Sequence, residues 1–223
     1  MNKKLALLAL PAALLLGGCI STSKPVQIEH YTITAAQASA QTAPATSQTA
    51  AHKPVLRIAG IEAPHWLDSA SMYYRLAYQN SAKVAAYSRS DWVSPPPVQI
   101  LSLLEDVLAA SGNYKAVLGP SDISNADVTL RIELGDFEQV FTSQNQSAGV
   151  LDATVTVVDN RAGKIAAQRH FHIEKPAPSA DAAGGVKALG EASQAFATEV
   201  RDWLGQLTLA AKAGTARSPG AAG

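Results

Sequence analysis

Three groups of residues in this 223-residue chain have types and spacing that could do chemistry. The first is Cys19, the only cysteine, preceded by Leu16-Gly17-Gly18. A basic start, Met1-Asn2-Lys3-Lys4, leads into an apolar run from Leu5 to Leu16 broken only by Pro11. That is the pattern of a secretory signal peptide, with a thiol at its cleavage site. The second group is His170 and His172, two apart on one strand and so pointing the same way, beside Gln168 and Glu174. Two imidazoles on one face could hold a metal. The third is a run of aromatic and basic residues: Tyr73, Tyr74, Arg75, Tyr78, Lys83, Tyr87, Arg89 and Trp92. Surfaces of this kind stack nucleic-acid bases or anchor protein interfaces.

Small residues and then cysteine, directly after a leucine run, resemble the bacterial lipobox. In that motif the cysteine becomes the first residue of the mature protein and carries acyl chains. A membrane-spanning helix needs ~20 apolar residues, more than this run supplies. Stable anchoring takes two membrane signals, and more than one acyl chain on Cys19 provides them. In lipoproteins of Gram-negative bacteria, aspartate after the cysteine tends to retain the protein in the inner membrane. Here the residue is Ile20, which points to the outer membrane.

The histidine pair finds no convincing third ligand, and the other side of its strand is apolar. It therefore reads as a polar sheet face, with no metal. No G-x-S-x-G, H-E-x-x-H, P-loop or G-x-G-x-x-G occurs. Gly184, Gly185 and Gly190 flank Lys187 without a following G-K-[ST] and read as packing or hinge glycines. The expectation is a non-enzyme without cofactor. The structural account of the aromatic–basic run is that half its rings pack under a hairpin. The functional account makes Tyr73, Tyr74, Arg75, Tyr87, Arg89 and Trp92 a partner-binding surface. The 18 basic and 18 acidic side chains balance, and losing Lys3 and Lys4 leaves a net charge near −2. Nothing there argues for nucleic acid. With one cysteine no internal disulfide can form, so the fold must rest on its apolar core.

About 200 mature residues suit one domain. The reading divides the chain into a signal peptide at 1–18, a lipidated tether at 19–27, a single domain at 28–209 and a disordered tail at 210–223. A segment at 35–53, rich in Ala, Gln, Thr and Ser, reads as a flexible insertion. Ile28–Thr34 alternates as a first strand and Val55–Ile61 as a second. Ser71–Tyr78 and Ala82–Tyr87 flank the turn residues Gln79-Asn80-Ser81 as a hairpin. Ser94-Pro95-Pro96-Pro97 opens a helix capped by Ser94, with Ile100, Leu101, Leu104, Val107 and Leu108 as its stripe, and Gly112 stops it. Tyr114–Leu118 is another short strand.

Asp127–Phe141 is the clearest strand, and alternation slips at Gly135 in the manner of a β-bulge. Two further strands follow, the second with Ile165, Ala167, Phe171 and Ile173 inward. A long amphipathic helix carries Val186, Leu189, Ser193, Phe196, Val200, Trp203 or Leu204, and Leu207. The fold class expected is α+β: one mainly antiparallel sheet with two amphipathic helices packed on it.

The order of landmarks resembles the ABC-type transport auxiliary lipoproteins, the group that includes PqiC-like proteins. The core of the likeness runs from Tyr73-Tyr74-Arg75 through Tyr87-Ser88-Arg89-Ser90-Asp91-Trp92-Val93-Ser94-Pro95-Pro96. Tyr31 in a first strand, Ala63-Pro64-His65-Trp66-Leu67-Asp68, Leu134 to Phe137, and Trp203-Leu204 agree with it. The resemblance implies an accessory component of a system containing an MCE-domain protein and a permease, which moves lipids or other hydrophobic molecules between two membranes. It carries over no catalytic residue, and only Cys19 transfers with a defined role. The partners it implies are the outer membrane, through the anchor, and the MCE protein with its permease; a homo-oligomer also remains open. The alternative is an accessory or activator of another envelope machine, such as a cell-wall synthase. A tether from Ile20 to Gln27 spans at most roughly 30 Å, so the transporter must come to this protein.

Overall fold

The computed structural model describes residues 27–33 and 53–214, with side chains through residue 207. The signal peptide, Cys19, most of the tether, nearly all of the 35–53 insertion and residues 215–223 lie outside the described residues. The strands are β1 (Glu29–Tyr31), β2 (Val55–Glu62), β3 (Ser71–Leu76), β4 (Val84–Trp92), β5 (Ala116–Leu118), β6 (Val128–Phe141), β7 (Ser147–Asp159) and β8 (Lys164–Pro176). Helix α1 spans Pro96–Ala110 and α2 spans Ala182–Gly214, and a 3-10 turn covers His65–Asp68.

The architecture is α+β, but the sheet is mixed, which corrects the expectation of a mainly antiparallel one. β1 lies parallel to β4, β2 parallel to β5, and both β2 and β3 parallel to β6. Among the described residues only the β3–β4, β6–β7 and β7–β8 ladders are antiparallel. Local turn chemistry announces hairpins, so the antiparallel pairs were legible. The parallel pairs join segments far apart in sequence and leave no local mark.

β6 organises the sheet. One of its edges pairs with β7 along its whole length, from Val128↔Asp159 to Phe141↔Ser147. The other edge is shared: β2 occupies it from Val128 to Glu133, and β3 from Gln139 to Phe141. Between them the chain leaves the sheet through the 3-10 turn. The gap coincides with the bulge at Gly135, where the β6–β7 register shifts between Leu134 and Asp136. Leu130, Ile132 and Leu134 face the core before the bulge; Phe137 and Phe141 do so after it. A second register shift, between Val157 and Val158 on β7, turns Ile165 out of the expected inward set, and it is 64% exposed.

Both helices pack on one face of the sheet, α2 over β7, β8 and β6, and α1 over β2 and β5. Pro95, rather than Ser94, holds the N-cap position of α1, and Pro96 and Pro97 fill its first turn, where no N–H is needed. Gly112, at φ +66°, closes the helix in the left-handed region. The α2 stripe buries Leu189, Ser193, Phe196, Val200, Trp203 and Leu204. Phe171 of β8 stands edge-on to Phe196 and Trp203 at 5.5 and 5.8 Å. Gly149 of β7 brings α2 close: a Cβ there would lie 2.6 Å from the Leu189 amide nitrogen.

Candidate functional site

Strand alternation divides the aromatic–basic run between the two faces of the sheet. On the helix-covered side, Tyr74 stacks at a tilt on Tyr87, 4.7 Å between centroids, and lies edge-on to Phe141 at 6.1 Å. The Tyr87 hydroxyl donates to Gln139 Oε1 at 2.8 Å, and Gln139 Nε2 donates to Ser147 Oγ at 2.8 Å. Burial pushes the Tyr87 phenol well above its ordinary value, so it stays a neutral donor. Trp92 is 1% exposed and packs on Phe137 at 5.7 Å.

Tyr73 and Arg75 turn to the open face. Tyr73 meets Trp66 edge-on at 4.9 Å, and its hydroxyl lies 3.2 Å from Ser69 Oγ. Arg75 pairs with the buried Glu138, stands 3.6 Å from Asp136, and donates to the Ser81 carbonyl at 3.1 Å. Burial raises the Glu138 carboxyl, and the Arg75 guanidinium partly offsets this. Of the six residues assigned to a partner surface, Arg89 is exposed, Trp92 belongs to the core, and Tyr73, Tyr74, Arg75 and Tyr87 are half-buried. The fold brings them into one hairpin but does not gather them on one surface.

The open face of β6, β7 and β8 holds the histidines. His170 Nε2 and His172 Nδ1 approach the same oxygen of Asp152, at 3.2 and 3.1 Å. Asp152 is the partner that sequence reasoning missed. It sits in register with His172 across the β7–β8 ladder, and nothing local in the sequence reports that ladder. Beside it, where β2 leaves β6, an open depression of about 380 Å³ is lined by Glu62, Glu133 and Asp152 with Pro64 and Gly135. Among the described residues no group of three or more His, Cys, Asp or Glu is arranged to hold a metal ion. What this face offers is hydrogen bonding and negative charge. Cys19, the residue to which the sequence reading gives a chemical role, lies outside the described residues. No helix among the described residues is long and apolar enough to cross a membrane.

Two helices on one face of a mixed sheet, with β6 at its centre, is an architecture that solved structures share. A crystal structure of a Xanthomonas campestris protein of the DUF330 family is 20% identical over 74% of this chain and 92% of its own, with a TM-score of 0.64. A second, of an uncharacterized protein, is 14% identical over 80% of this chain and 99% of its own, with a TM-score of 0.58. At such identities the likeness shows the fold alone. No curated protein matches the sequence. Residues 31–201 match the family described as the ABC-type transport auxiliary lipoprotein component. That span runs from the last residue of β1 well into α2, and the chain belongs to this family.

Proposed function

We propose that this protein is a non-catalytic lipoprotein, acylated on Cys19 and held in the outer membrane facing the periplasm. There it serves as the accessory component of an MCE-containing ABC-type system that moves lipid or other hydrophobic molecules between the two membranes. The observation that carries the reading is the family match over 31–201 on a chain whose only cysteine directly follows a basic start, an apolar run and two glycines. Ile20 after that cysteine, rather than aspartate, supports the outer membrane. The short tether supports a docking role, since eight residues from Ile20 to Gln27 reach at most about 30 Å. The test is cross-linking in cells followed by purification of the tagged full-length chain. The expected result is co-purification of an MCE subunit and its permease. Repeated recovery of the chain without either, with the transporter expressed, would sink the reading.

A further inference from the structure

The geometry points to a second membrane contact: the tip of the β3–β4 hairpin rests on the anionic headgroups of the bilayer that holds the anchor. β1 runs parallel to β4, with Glu29 opposite Ser90 and Tyr31 opposite Trp92, so Ile28 stands level with Arg89. From Arg89 the hairpin runs back five positions to Val84, about 17 Å, before its turn. β1 and β4 both run away from that turn, so a chain entering β1 comes from the side of the hairpin tip. The tether is at most about 30 Å long, and with the chain entering β1 from that side the tip lies within reach of the bilayer.

The composition of the tip fits that neighbour. From Leu76 to Ser90 there is no acidic residue, while Lys83 and Arg89 are both exposed. Tyr78 is 40% exposed, Val84 36% and Ile28 48%. Tyrosine favours the headgroup level of a bilayer, and basic side chains are drawn to anionic lipid. Phe141 pairs with Leu76, so the uncharged β6–β7 turn Thr142–Gln146 lies at the same pole. Three acids near this pole have partners, of which only that of Glu138 is a cation. Glu138 is paired with Arg75, Glu29 accepts from the Tyr31 hydroxyl, and Asp181 accepts from the Gly184 amide and the Ser179 hydroxyl. Glu174 is left exposed.

This inference rests on the acylation of Cys19 proposed above, and the experiment separates the two. Full-length protein carrying Tyr78→Trp is placed in vesicles of phosphatidylethanolamine and phosphatidylglycerol containing brominated chains. Its emission is read against the parent chain, which has its own tryptophans. The control is Ile123→Trp, 99% exposed in the β5–β6 loop at the opposite pole. The Tyr78→Trp signal should be quenched and shifted to the blue, and the Ile123→Trp signal should not. Lys83→Glu with Arg89→Glu should reverse the effect without changing the circular dichroism spectrum. Acylation is scored separately by the mass of the mature chain. An acylated chain with no quenching overturns the inference and leaves the anchor standing, whereas an unacylated chain overturns the anchor. Protection of Tyr78→Trp only when a protein partner is added overturns the lipid contact in favour of a protein interface.

Discussion

Glu138 is 1% exposed on the face that the helices leave open, and among the described residues its Oε2 and the Nε of Arg75 have no hydrogen-bond partner. Breaking such a pair costs more than the pair contributes, because it strands a buried charge. Arg75→Ala should therefore destabilise the domain by about 3 kcal/mol, measured by urea unfolding. The raised Glu138 carboxyl sets the sign of a pH effect. Between the ordinary carboxylate range and its raised folded value, the folded state keeps a proton that the unfolded chain has released. Stability then falls as pH rises through that window. Glu138→Gln should flatten that slope, and Arg75→Ala should steepen it by removing the one group that lowers the carboxyl. Trp92 fills the core against Phe137. Trp92→Ala should cost about 3–5 kcal/mol, while Arg89→Glu should leave the melting temperature unchanged. The sequence named both residues as surface candidates, because residue type marks a good anchor equally well in a core and at an interface.

At the scale of elements, α2 depends on two local devices. Asp181 caps its start by accepting from the Gly184 amide at 2.8 Å, and that bond holds its carboxyl below the usual range. Asp181→Ala should cost about 0.5–1 kcal/mol, the lower end for a cap because the residue is exposed. In the wild type this contribution is present at neutral pH and is lost as pH falls through the lowered value. Gly149 matters more, since a Cβ there meets the backbone of Ala188 and Leu189 rather than a movable side chain. Gly149→Ala should destabilise by about 1–3 kcal/mol, read as a lower urea midpoint. The α2 stripe and the Gly135 bulge were legible because each is a local departure or agreement in periodicity. Ile165 was misplaced because its strand shifts register one residue later, and only the partner strand reveals a shift of that kind. Ser94 lost the cap to Pro95 for a similar reason: composition marks where a helix begins more reliably than which residue holds the cap.

For the whole molecule, the proposed anchor should be separable from the folded domain. Cys19→Ala should release the protein from the membrane fraction while leaving its unfolding midpoint unchanged, since the apolar core is built from residues from Tyr31 onward. The candidate export signal and the candidate acylation site are contiguous residues, so the sequence alone determined the reading of Cys19. The same holds for the strands of the β6–β8 meander, the hairpin and the two helices, whose periods of two and near 3.6 are local properties. Tertiary structure decided how β6 would be shared between β2 and β3, and with it the mixed sheet. It also decided that the aromatic–basic run would be split between two faces and that Asp152 would sit between two histidines. Those outcomes depend on pairing and register between residues distant in the chain. Such pairing is stabilised by burial that exists only once the sheet has formed, and no window of sequence contains it.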